Sequence, residues 1–119
     1  MIENTKKQNN KIKYNKGLIV KITSKIVSAI HVGNATMQCP EFIVFTKNVK
    51  KFDMLAFKGV DCSRIDFSTA INLERIGRKC FKNAKNIHWS EVLEKADQEP
   101  DSFENAAIIG KRIDTGCEL

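Results

Sequence analysis

Two stretches of this chain are dominated by side chains that favour extended backbone: residues 18–32, LIVKITSKIVSAIHV, and residues 42–46, FIVFT. β-Branched and aromatic side chains are stiff at χ1 and fit a pleated, half-buried surface. In the first stretch Ile19, Lys21 and Thr23 alternate with Val20, Ile22 and Ser24, the period of a strand. Ile19, Ile22, Ile26 and Ile30 also recur at helical spacing, but β-branching favours a strand that bends near Thr23-Ser24-Lys25 and turns at Gly33-Asn34. Pro40 cannot donate to the middle of a ladder, so it precedes the second stretch, which reads as a buried strand. After a turn over TKNVKK, Met54 to Phe57 reads as another strand, closed by Gly59. A rival helix places Phe42, Phe45, Val49, Phe52 and Ala56 on one stripe behind Pro40. Ile43, Val44, Met54, Leu55 and Phe57 would then spread apolar mass around the whole wheel, so strands are preferred.

The second half reads as helical. Ser68 or Thr69 can cap a helix over residues 70–84, and Trp89-Ser90-Glu91 opens another that runs to about Ala96, with acids in its first turn as the helix dipole favours. Pro100 stops it. Asp101-Ser102 with Glu104 can open a short third helix, and AAIIGKRI can equally close the fold as a strand. No internal repeat stands out. The expected fold is therefore α+β: three or four antiparallel strands within residues 17–67, followed by two or three helices packed on one face. Residues 1–16, polar and basic, are expected to form a mobile arm, and residues 17–119 a single domain.

Charge is sorted along the chain. Residues 1–90 hold 17 Lys/Arg against 6 Asp/Glu, and residues 91–119 hold 3 against 8. On a wheel for residues 70–84, Leu73, Ile76, Gly77, Cys80 and Ala84 share one side. Arg75, Arg78, Lys79 and Lys82 fall on the opposite arc, and Lys85 continues it. Like charges at this spacing repel, so such a ridge points to a phosphate backbone or an acidic protein as its partner. Lys47, Lys50 and Lys51 are candidate secondary contacts. The acids Glu91, Glu94, Asp97, Glu99, Asp101 and Glu104 are available to neutralise the ridge internally. A helix–turn–helix over residues 69–97 is disfavoured because its second helix is acidic. Phe42, Phe45, Phe52, Phe57, Phe67, Tyr14 and Trp89 could stack on bases, but core packing is the better reading for most of the phenylalanines.

Catalytic signatures are missing. GxxxxGK[ST], GxGxxG and HExxH do not occur, and His31, His88 and four scattered cysteines have no zinc spacing. Asp61, Asp66 and Glu74 form a weak Mg²⁺ candidate, read more simply as surface acids and a helix start. Cys39, Cys62, Cys80 and Cys117 read as reduced thiols in a cytoplasm-like compartment, with Cys80 beside Lys79 the most prone to a lowered pKa. No stretch approaches the roughly 20 apolar residues of a membrane span. The expectation is a small, non-enzymatic, nucleic-acid-associated regulatory protein without cofactor or metal. The alternative is a protein-binding inhibitor or adaptor that docks an acidic partner through the same residues.

Overall fold

In the computed structural model, residues 14–110 are described. They form strands β1 (Asn15–Ile22), β2 (Ile26–Val27), β3 (Pro40–Phe45), β4 (Lys51–Phe52), β5 (Arg75–Ile76), β6 (Ile87–His88), β7 (Asp97–Gln98) and β8 (Ile108–Ile109). The described residues also form two helices, α1 (Ala29–Met37) and α2 (Glu91–Lys95), and two 3₁₀ turns at Cys62–Arg64 and Phe67–Thr69. Every strand pairing is parallel: β1 with β3, β6 with β8, and a four-stranded sheet in the order β2-β4-β5-β7. This overturns the antiparallel sheet and the helical second half expected above; the fold is α/β. The strand expected at Met54–Phe57 is a turn, and the stretch 18–32 holds β1 and β2 on either side of the expected bend, with its last four residues beginning helix α1.

The register explains the architecture. Val27 pairs with Phe52, Phe52 with Ile76 and Ile76 with Gln98, separations of 25, 24 and 22 residues. On the other side Val20 pairs with Ile43, Ile43 bridges to Ile65, and Ile87 pairs with Ile108, separations of 23, 22 and 21. The chain thus winds as a stack of coils, each laid parallel on the one before, as in solenoid proteins. Coil one runs from β2 to Lys50, coil two from β4 to Glu74, coil three from β5 to Ala96, and coil four begins at β7.

Side chains that recur at this period fill the interior. Val27, Phe52 and Ile76 line one wall, and Ile43, Ile65 and Ile87 the other; all are buried. Phe57, Phe81 and Phe103 stack at the third corner, with ring centroids 4.8 and 4.7 Å apart and planes within 4° and 8° of parallel. Phe45 and Phe67 stack likewise at 6.0 Å. The small residues Ala56, Cys80 and Ser102 precede the stacked phenylalanines, and backbone bonds from Phe57 N–H to Cys80 C=O and from Phe81 N–H to Ser102 C=O join successive coils. Buried Ser102 donates to the Gly77 carbonyl at 2.9 Å and accepts from Glu99 N–H, so its hydroxyl is satisfied.

The corners require left-handed backbone. Gly59, Asn83 and Asn105 occupy equivalent corners with φ of 69°, 59° and 55°; glycine and asparagine tolerate this region best. Asn105 Nδ2 donates to Asn83 Oδ1 at 2.7 Å, tying two corners together. Lys79 and Asn83, at φ 50° and 59°, are the physical reason that residues 70–84 cannot form the expected helix. Gly77 marks the closest approach of two coils, since a Cβ there would lie 2.7 Å from the Met54 nitrogen. Helix α2 matches the segment expected after Trp89, with Ser90 Oγ accepting from Val92 N–H. The expected basic arm lies mostly outside the described residues; Asn15 and Lys16 begin β1.

Candidate docking groove

Coil one differs from the others because α1 replaces its corner. At the start of that helix the His31 Nδ1 accepts from Ser28 N–H at 3.0 Å, and Nε2 lies 3.2 Å from Ser24 Oγ, so His31 serves as a cap. The face of α1 turned toward coil two carries Ala29, Val32, Gly33 and Thr36, spaced 3, 1 and 3 residues apart. These short side chains leave a hollow of about 440 Å³ against Leu55, Lys58, Gly59 and Val60. Leu55 also lines a hollow of about 210 Å³ with Met54, Arg78 and Lys79. Thr36 and Val60 also line one of about 220 Å³, floored by Pro40, Ile43 and Ile65 and rimmed by Asp61, Ser63 and Arg64. Shared lining residues set the three hollows side by side along coil two as a trough, with α1 walling the first and third and coil three the second. Such concave, largely apolar surfaces with a few polar groups at the rim are where ligands and partner segments bind.

The trough is apolar where solvent meets it. Met54 is 53 % exposed and Leu55 38 %. Leu55 is held there at φ 61°, in a region that costs a β-carbon-bearing residue about 1–2 kcal/mol. Its equivalent in coil three is Lys79, at φ 50°. Lys58 and Lys82 follow Phe57 and Phe81 on neighbouring coils, so their backbones run about 5 Å apart, joined by the bond from Gly59 N–H to Lys82 C=O. At the far end Arg64 lies over the Tyr14 ring, 5.1 Å from its centroid.

The basic ridge expected on one helix is dispersed by the coils and partly neutralised. Arg75 is ion-paired with Glu99, and Arg78 with Asp101 at 3.2 Å, both acids belonging to coil four. Lys50 pairs with Glu74 and Lys51 with Asp53, each at 3.7 Å. Lys47, Lys79, Lys82 and Lys85 form no ion pair among the described residues. Lys79 lines the trough, Lys82 lies on the coil next to Lys58, Lys85 is bridged to Asp61, and Lys47 stands apart, its carbonyl accepting from Asn72. Partial desolvation raises the Asp101 carboxyl, but hydrogen bonds from Arg78 and Lys79 N–H outweigh it and hold the group below its usual range. Asp61 is held low mainly by Asn86 Nδ2 at 3.0 Å and by Ser63 N–H.

The remaining chemical candidates are structural. Asp61 and Asp66 cap successive 3₁₀ turns, and no group of three metal-ligating side chains comes together among the described residues. Burial pushes the Cys80 thiol up to about 12, the reverse of the lowered value expected from Lys79, and raises Cys62 as well. Phe45, Phe52, Phe57 and Phe67 are core, while Phe42 is exposed on β3. No described helix is long and apolar enough to cross a membrane. Lys58, Met54 and Leu55 were not among the expected site residues. Aligning Ala56-Phe57-Lys58-Gly59 with Cys80-Phe81-Lys82-Asn83 would have placed Leu55 beside Lys79 and Lys58 beside Lys82. The chain matches no protein-family model, no curated protein and no solved structure.

Proposed function

We propose that this protein is a non-enzymatic protein-binding module whose trough receives an apolar segment flanked by acidic residues. The observation that carries this reading is Leu55: an exposed leucine in left-handed backbone, beside exposed Met54 and between Lys58 and Lys79. Strained residues are retained where surrounding structure over-determines them, and they concentrate at binding and catalytic sites. Folding alone would favour glycine at that corner. The apolar floor supports an amphipathic protein segment over a phosphate backbone. So does the neutralisation of Arg75, Arg78, Lys50 and Lys51 by acids of the same chain.

The test compares wild type with Leu55→Gly and with the pair Lys58→Glu and Lys79→Glu in nuclease-treated capture from the native host. Leu55→Gly relieves strain, so its thermal midpoint should hold or rise while the captured protein is lost. The charge-reversed pair should lose the same protein. A partner retained equally by all variants would refute the trough as the site. Salt-sensitive oligonucleotide binding unaffected by Leu55→Gly would return the function to nucleic acid.

A further inference from the structure

Among the described residues the two ends of the coil stack have no further coil laid on them, and one is bordered by lysines, the other by acids. At the first end β1 pairs, among the described residues, with β3 alone. Lys16, Lys21 and Lys25 are exposed there and form no ion pair among the described residues. At the last end, among the described residues, β7 pairs only with β5, and β8 only with β6. Asp97 and Glu104 are exposed there, without ion pairs among the described residues. The same end leaves apolar columns uncovered: Ile109 is exposed, and Phe103, the last ring of its stack, is only half-buried.

We propose that a second copy of this chain continues the stack head to tail, its β1 lying parallel to β8 of the first. Ile108, which pairs with Ile87 as Ile43 pairs with Val20, would then be followed by Val20 of the next copy. Asp97 occupies the column of Ile26, Lys51 and Arg75, so Lys25 of the next copy arrives one residue from its coil-on-coil position. The lysines on β1 make the contact selective. They set like charges against each other when two first ends meet, and a strand edge carrying lysine resists such pairing. An acidic end accepts them. The irregularity in β1 lies between Asn15 and Ile19, which leaves Ile19 to Ile22 in regular register for the new neighbour. Because the surfaces are different and do not face each other on one copy, the contact is heterologous and propagates instead of closing.

Sedimentation velocity of the full chain across a concentration series tests this. At about 10 mM salt, where screening reaches about 30 Å, the weight-average mass should at least double as concentration rises, and at about 1 M salt it should return to the monomer. The triple variant Lys16→Glu, Lys21→Glu, Lys25→Glu should be monomeric at low salt, as should the double variant Asp97→Lys, Glu104→Lys. Mixing the two should restore association, because each supplies the end that the other lacks. All five positions are exposed, and circular dichroism of each variant checks that it folds. A wild-type chain that stays monomeric at low salt overturns the proposal. So does association that survives both reversals, or folded variants that fail to associate on mixing.

Discussion

Replacing Phe81 with alanine should be among the most damaging single changes in this chain. Phe81 is fully buried and is stacked on both faces, by Phe57 at 4.8 Å and Phe103 at 4.7 Å. Phe52 and Phe67 meet it edge-on at 6.3 and 5.6 Å. Truncating such a side chain costs about 3–5 kcal/mol in transfer and cavity terms together. The whole fold of a chain this size is worth about 5–15 kcal/mol. Phe103 offers an internal control: it is half-buried, has Phe81 on one face and touches Trp89 at 5.4 Å, so Phe103→Ala should cost about half as much. Urea unfolding followed by far-UV circular dichroism and by Trp89 fluorescence measures both. In a stack where each coil touches only its neighbours, damage at coil three uncouples coil four, whereas damage at coil four leaves the first three joined. Phe103→Ala costing as much as Phe81→Ala, or Phe81→Ala costing under about 1.5 kcal/mol, would refute the reading of coil-to-coil ring stacking as the core of the fold.

Gly77→Ala should destabilise by about 1–3 kcal/mol without creating a cavity, because the added Cβ meets the Met54 backbone at 2.7 Å and must push two coils apart; thermal unfolding reads the loss. In a Cys117→Ser background, a thiol reagent should titrate only the exposed Cys39 in the native protein, with Cys62 and Cys80 reacting only in denaturant. Fast reaction of either buried thiol would contradict the coil packing around Cys80, which burial raises to about 12. Stability should fall on acidification below about pH 4. Asp61 has a folded pKa depressed below 3.8, so its contribution is complete above that value and is lost as pH falls through the folded pKa. Asp61→Asn should make the acid limb of a midpoint-against-pH curve shallower, and an unchanged limb would count against this role for Asp61.

Parts of the fold could be read from the residues and parts could not, for identifiable reasons. Strand β3 was legible because Phe42 to Phe45 is an apolar, β-rich run behind a proline, and α2 because Ser90 caps it and acids follow. Residues 70–84 misled because a coil that turns a corner every few residues also buries apolar side chains three or four apart. Leu73, Ile76, Cys80 and Ala84 are all buried, as a helix would require, yet Lys79 and Asn83 carry left-handed backbone. The cations on the supposed opposite arc are simply the side chains that point out of the coil. Strands of two residues carry no alternation to detect. The repeat was present all along in Ile43-Val44-Phe45, Ile65-Asp66-Phe67 and Ile87-His88-Trp89, each 22 residues apart. Search windows of helix or strand length are too short to see it. The trough was hidden for another reason: it depends on α1 packing beside coil two, and on a leucine adopting a backbone conformation that no local pattern announces.

The corner shared by Gly59, Asn83 and Asn105 has a consequence for how this molecule tolerates change in length. Because neighbouring turns of the stack meet through the same ring, the same small residue and the same corner, a full 22-residue period grafted between the third and fourth would find its contacts already waiting. A graft half as long would set rings against corners. The chain should therefore accept growth in whole periods and reject it in fractions, so that its length behaves as a count instead of a continuous quantity.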